Sequence, residues 1–137
     1  LQPTSPVRRK GLIDLCVEKV ASTNHDSLLT VTEMTPFFWR RGAKEMEVFY
    51  DYKNRPMKQE ISSEQMMLHD DGNVYLTRHD ILTDKLCRIG DNPAFFSTNP
   101  QESYQIDTEN DFAVLESIIK SYPEYQVEIK KDLALST

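Results

Sequence analysis

Ser103-Tyr104-Gln105-Ile106-Asp107-Thr108-Glu109-Asn110-Asp111-Phe112 reads as a short strand that stops at a carboxylate and turns at once into a helix. Thr108 and Asp111 have the capping-box spacing, with Asp in place of the usual Glu or Gln. Phe112, Leu115, Ile118 and Ile119 then recur at helical spacing and predict a buried stripe. Asp107 is thereby expected at the carboxyl end of a strand, beside a helix N-terminus. In open α/β sheets that edge is where ligands bind. A carboxylate there, facing a phosphate-bearing substrate, suits Mg²⁺, a hard cation that prefers oxygen ligands. The alternative is that Asp107 simply belongs to a strand-to-helix turn, and the pattern alone leaves both readings open.

Upstream of this stretch, the chain begins Leu1-Gln2-Pro3-Thr4-Ser5-Pro6. Leu1 and Gln2 read as the last residues of a strand, and the two prolines enforce an extended or turning backbone around Thr4 and Ser5. A helix is predicted from about Arg9 to Ala21, with Leu12, Ile13, Cys16, Val17 and Val20 on one face. Arg8, Arg9 and Lys10 stand at its start, the unfavourable end for the helix dipole, so they are either solvated or facing an anion. Ser27-Leu28-Leu29-Thr30-Val31-Thr32 is a β-branched run suited to a central strand. A helix between two such strands makes a βαβ unit, which predicts a mostly parallel sheet here.

The βα rhythm breaks after Met34. Pro36-Phe37-Phe38-Trp39-Arg40-Arg41-Gly42 sets large aromatics beside positive charges, and Glu47 to Tyr52 reads as a strand of a hairpin or arm. Residues 35–60 therefore look like an insertion: either core aromatics with a basic rim, or a subunit interface, where aromatics and Arg are enriched. Ile61 to Leu68 reads as a short helix capped at Ser62-Ser63. His69-Asp70-Asp71-Gly72 is a turn signal, and Asn73 to Thr77 a strand. A helix over His79 to Leu86, a loop at Gly90-Asp91-Asn92-Pro93 and a brief strand over Ala94 to Ser97 follow. Pro123 ends the helix after Asp107, and Tyr125 to Ile129 is expected as a last edge strand.

Composition narrows the function classes. The 137 residues are enough for one domain, and 39% hydrophobic with 28% charged residues suits a soluble globular chain. A net charge of −6 argues against nucleic-acid binding, which needs a basic face. No apolar run reaches the ~20 residues that span a bilayer, so no membrane association is expected. Cys16 and Cys87 fit neither zinc nor redox spacing, and a cytoplasmic setting is the default expectation. His25, His69 and His79 form no ligand cluster.

Stretches in three places, taken in order, resemble signatures of the CMP-acylneuraminate synthetases (CMP-sialic acid synthetases and related cytidylyltransferases). Leu1-Gln2-Pro3-Thr4-Ser5-Pro6-Val7-Arg8 is similar to their Leu-Gln-Pro-Thr-Ser-Pro-Leu-Arg. Asp71-Gly72-Asn73-Val74-Tyr75 is similar to their Asn-Gly-x-Ile-Tyr. Gln105-Ile106-Asp107-Thr108-Glu109-Asn110-Asp111-Phe112 is similar to their Asp-Ile-Asp-Thr-Glu-x-Asp-Phe. Two departures stand out: the family's first block carboxylate is Gln105 here, and its Asn before Gly is Asp71.

The resemblance implies transfer of CMP from CTP to a nine-carbon 2-keto sugar acid of the sialic-acid type, with release of pyrophosphate and with Mg²⁺ as cofactor. It implies an α/β fold: a mixed, mostly parallel nucleotidyltransferase-like sheet flanked by helices, with the arm at 35–60 pairing two subunits into a homodimer. Asp107 would be the catalytic metal carboxylate and Gln105 a weaker metal donor. Gln2 would help hold the sugar, Thr4 and Ser5 would shape the loop, and Tyr75 would stand near the sugar pocket. Lys58-Gln59-Glu60 loosely resembles the family's Arg-Gln-Asp, so Lys58 would meet the sugar carboxylate as a point charge, with Gln59 beside it. The family's Gly-rich nucleotide loop lies upstream of Leu-Gln-Pro, so residues 1–137 are expected to be the C-terminal part of one such domain, inactive by themselves. The alternatives are a non-catalytic, degenerate domain acting as an interaction module, and a cytidylyltransferase for an eight-carbon 2-keto acid.

Overall fold

The structure is a computed structural model in which residues 1–126 are described. In chain order its regular elements are α1 (Leu12–Ala21), β1 (Ser27–Met34), β2 (Trp39–Arg41), β3 (Met46–Val48), β4 (Met67–Thr77), α2 (His79–Asp84), β5 (Pro93–Ser97) and α3 (Glu109–Ser121). Short 3-10 turns link several of them.

The β-branched run takes the centre, as expected. Strand β1 is buried from Ser27 through Thr32, and lies between β4 and β5 in a three-stranded sheet ordered β4-β1-β5. It pairs antiparallel with β4 and parallel with β5, so the sheet is mixed and the protein α/β. Leu1 and Gln2 form no strand: the chain closes into a turn there, with Ser5 N–H donating to the Gln2 carbonyl at 3.2 Å. Pro3 removes the N–H that a ladder would need next.

Alternation along the strands builds the core. Leu28, Val74 and Ala94 meet Leu12 and Cys16 of α1, and Val20, Leu76 and Phe96 close the edges. Ile13 and Val17, expected on the same face, are exposed, because only the Leu12–Cys16 line of the helix meets the sheet. Burial pushes the Cys16 thiol up to about 11, and both cysteines are free.

A second, smaller cluster of Val7, Leu115 and Tyr125 joins the loop before α1 to α3, with Ile106, Ile118 and Ile119 around it. Burying a side chain such as Leu115 stabilises by about 2 kcal/mol. Phe112 is 61% exposed, contrary to the expected stripe. The residues of α3 in this apolar cluster are Leu115, Ile118 and Ile119, in its middle and later turns.

Other local expectations change for identifiable reasons. The strand expected before Asp107 is a 3-10 turn over Pro100–Ser103 followed by irregular backbone, because Asn99 and Glu102 close a capping box there. The helix expected over 61–68 shrinks to a 3-10 turn at Ser63–Gln65, since β4 already begins at Met67. Tyr125 lies in a 3-10 turn over Pro123–Tyr125, and Val127 to Ile129 fall outside the described residues. The hairpin of β2 and β3 forms within the aromatic segment, paired from Trp39↔Val48 to Arg41↔Met46.

Candidate functional site

The turn signal at 69–72 does not end a strand. His69 and Asp70 pair with Thr32 and Val31, and Tyr75 pairs with Leu29, so Asp71, Gly72, Asn73 and Val74 bulge out opposite the single Thr30. Gly72 sits at φ +68°, where a residue without Cβ is favoured. The Thr30 hydroxyl fills the bulge: it accepts from Val74 N–H at 2.9 Å and donates to Asp71 Oδ1. Asp71 Oδ1 also accepts from Asn73 N–H at 2.9 Å, and its Oδ2 accepts from the Thr98 hydroxyl, itself 3.0 Å from that of Thr32. The Asp71 side chain is thus completely buried and hydrogen-bonded on both oxygens.

The same bulge anchors the first loop. Asn73 Nδ2 donates to the carbonyls of Val7 (2.9 Å) and Glu102 (3.1 Å), while its Oδ1 accepts from Arg8 Nε at 2.6 Å. Glu102, with no exposed surface, pairs with the Arg9 guanidinium and accepts from the backbone N–H groups of Arg9 (2.8 Å) and Asn99 (2.9 Å). The anion faced by the basic start of α1 is therefore a carboxylate of the same chain, and Lys10 alone of that trio is exposed. No buried side-chain nitrogen or oxygen among the described residues lacks a partner. Such a fully satisfied polar junction fixes one geometry.

Beside the junction runs an open groove of about 980 Å³. Asp107, Gln105 and Lys58 line it, with Asp111, Glu33 and His69 adding charge or hydrogen-bonding capacity and Met66, Phe38 and Tyr104 supplying apolar walls. Asp107 is exposed, immediately before the Thr108 N-cap of α3. Its backbone N–H and those of Thr108's amide and hydroxyl converge on Asp111 Oδ2 at 3.1, 2.8 and 2.8 Å, which completes the capping box read from the sequence. These hydrogen bonds, led by the Thr108 hydroxyl, hold the Asp111 carboxyl below the usual carboxylate range. Asp107 stands at a helix start, not at a strand end, because residues 104–108 do not join the sheet.

Each expected site residue has a definite place. Ile106 N–H donates to the Thr4 carbonyl at 2.8 Å, so the Gln2–Ser5 loop lies directly against the Asp107 segment. Gln2 and Gln105 crowd together over Gly72, where a methyl group would come within 2.5 Å of Gln2 Oε1 and 2.9 Å of Gln105 Nε2. Ser5 is buried, with its hydroxyl donating to the Asp71 carbonyl at 3.4 Å, so it shapes the loop from inside. Gln2, Thr4, Gln59 and Tyr75 are not among the groove's lining residues. Gln59 is exposed in a 3-10 turn and donates to Met57 Sδ at 3.3 Å. Tyr75 lies on β4 beyond the bulge, its hydroxyl donating to Asp70 Oδ1 at 2.7 Å and its ring 4.4 Å from the Arg88 guanidinium carbon. Burial, then that hydrogen bond, push its phenol up to about 12.

No protein-family model matches the chain, and no curated protein matches it either. Among the described residues no group of three or more His, Cys, Asp or Glu side chains could hold a metal ion. Mg²⁺, however, is commonly held by one or two carboxylates plus water and substrate phosphates. Asp107 and Gln105, which both line the groove, are oxygen donors of the type that such a site uses.

Thr30, Thr32, Thr98, Asn73 and Glu102 were missed by sequence reasoning. Thr30 and Thr32 read as β-branched filling, although their spacing of two put both hydroxyls on one face. Asn99 and Glu102 did carry a signal, the capping-box spacing.

Proposed function

We propose that the chain is part of a nucleotidyltransferase that transfers CMP from CTP to a nine-carbon 2-keto sugar acid, releasing pyrophosphate. One observation carries this reading: the exposed Asp107 carboxylate lines a wide groove and is tied through Ile106 to the Gln2–Ser5 loop. The first and third of the stretches that resemble cytidylyltransferases are thus in contact, and Gln2 and Gln105 meet over Gly72 of the second. Asp107 and Gln105 would bind the metal, Gln2 would hold the acceptor sugar, and Lys58 would attract its carboxylate across the groove. Mg²⁺, when bound, would neutralise charge on the phosphates. The residues of the chain would otherwise act by positioning, orienting the sugar hydroxyl for in-line attack on the α-phosphorus. In this reading the sheet described is one side of a larger, mostly parallel nucleotidyltransferase sheet, the 35–60 arm pairs two subunits, and the protein is cytoplasmic.

The test is pyrophosphate release by the full-length protein, given CTP, Mg²⁺ and a panel of nine-carbon and eight-carbon 2-keto acids. Turnover is expected with a nine-carbon acid and is expected to vanish in Asp107→Ala. Persisting turnover in that variant removes Asp107 from its role.

A second reading, a non-catalytic interaction module, is favoured by the aromatic hairpin. Trp39 is 48% exposed there, and its ring partners are Tyr50 and Tyr52 of the same segment. Silence with every acid, together with concentration-dependent self-association, would select this reading.

A further inference from the structure

Asp71 is a buried carboxylate for which no salt-bridge partner stands among the described residues. Its oxygens meet only hydroxyls and one N–H, from Thr30, Thr98, Thr32 and Asn73. Burying such a group costs several kcal/mol unless it is fully hydrogen-bonded. The bond from Asn73 N–H, two residues on, closes an Asx-type turn that sets Gly72 in its left-handed conformation.

Gln105 links that turn to the groove. The Asp71 carbonyl accepts from Gln105 Nε2 at 2.9 Å, a contact that a carboxylate at 105 could not make. Gln105 in turn neighbours Asp107 and lines the groove.

We propose that Asp71 is a positioning residue coupled to Gln105. Its caged carboxylate fixes the turn, and the turn's carbonyl takes the Gln105 amide nitrogen. Oε1 of Gln105 is then the atom left to present beside the Asp107 carboxylate to an oxygen-seeking cation. What binds there rests on the function proposed above; the coupling of Asp71 to Gln105 rests on the contacts alone.

The experiment follows the Gln105 side-chain amide signal in the ¹⁵N-labelled chain, first without metal and then during titration with Mn²⁺. In Asp71→Ala, solvent exchange of that amide should accelerate about fivefold, the factor carried by the net worth of one hydrogen bond. Asp71→Asn, which keeps an acceptor oxygen for the cage, should stay near wild type. Gly72→Ala keeps the carboxylate but displaces the amide, so it should reproduce the acceleration even if Asp71→Ala fails to fold. Mn²⁺ affinity at Asp107 should fall about 10- to 100-fold in both Asp71→Ala and Gln105→Ala, and no further in the double variant. Unchanged exchange in folded Asp71→Ala or Gly72→Ala, or additive losses in the double variant, overturns the coupling. If Mn²⁺ perturbs nothing near Asp107 in the wild type, the metal reading falls, while the exchange measurements still decide the pair.

Discussion

The polar junction around Asp71 and the aromatic hairpin around Trp39 use opposite economies. At the junction, charged and polar side chains are buried, and every one of them is answered from within the chain: Glu102 by Arg9, Asn73 by Arg8 and two carbonyls, Asp71 by threonines. At the hairpin, Trp39 and Tyr52 remain exposed beside half-buried rings, with Phe37 and Tyr50 edge-on at 5.2 Å and Arg55 4.1 Å from the Phe37 ring centre. The first arrangement specifies one geometry and leaves nothing for a partner. The second has apolar surface that nothing in the described residues covers. Substitutions should therefore damage stability at the junction and spare it at the hairpin.

The largest loss is expected at Glu102. Changing it to Gln removes the charge that faces Arg9 and puts an NH₂ where backbone donors now point. Breaking a buried pair by removing one partner costs about 3 kcal/mol or more. The Arg9 side chain keeps 25% of its surface in solvent and can partly rehydrate, so the low end of that range is expected. Urea unfolding, with the midpoint shift multiplied by the slope, measures it. A change under about 1 kcal/mol, the net worth of an ordinary hydrogen bond, would mean the junction is no more than a solvated surface pair.

Thr30→Val should come next, at about 2 kcal/mol, because it keeps the shape of the side chain while leaving Val74 N–H and Asp71 Oδ1 each short of a partner. The same unfolding assay applies. A neutral outcome would show that the bulge holds without its hydroxyl, and the contrast between the two regions would weaken accordingly.

What could be read from the sequence divides along the same line. Local signals worked: the β-branched run at 27–32 is the central strand, and Thr108 with Asp111 caps α3. Features that depend on contacts distant in sequence did not. Asp71-Gly72 has the composition of a turn, and it becomes a bulge because the residues on both sides pair with one strand. Phe112 fits a helical stripe, yet it is exposed, because the apolar cluster against α3 gathers around Leu115, Ile118 and Ile119. At the candidate site, Asp107, Gln105 and Lys58 could be named from motifs, and the groove does join them. Gln2, Thr4, Gln59 and Tyr75 were named the same way, and none of them lines it. A motif gives residue identity; the direction of a side chain comes from the register, which single residues do not encode.

A smaller effect, visible only in alkali, belongs to Tyr75. Burial and the bond to Asp70 raise its phenol from 10.0 to about 12, so the folded chain keeps a proton that the unfolded chain loses. The contribution is complete below the unfolded value and declines as pH rises from about 10 towards 12. The stability difference between wild type and Tyr75→Phe should therefore shift in favour of the Phe variant across that window, and stay constant below it. A difference that is flat through the window would mean that the phenol is solvated like any surface tyrosine.

The smallest effect on folding is expected at the exposed aromatic hairpin. Trp39 donates its indole N–H to Tyr50 Oη at 3.1 Å and packs on Tyr50 and Tyr52 at ring separations of 6.2 and 5.3 Å. None of these partners belongs to either buried core cluster. Trp39→Ser should thus change the unfolding free energy by no more than about 0.5 kcal/mol, as for surface substitutions generally. Its effect should appear instead in association, since exposed aromatics beside arginines are the composition of an interface. Sedimentation at rising concentration should show self-association in the wild type and its loss in the variant. A wild-type chain that stays monomeric, with a variant that unfolds more easily, would reverse both halves of that expectation: the hairpin would then stabilise the fold, as the junction does.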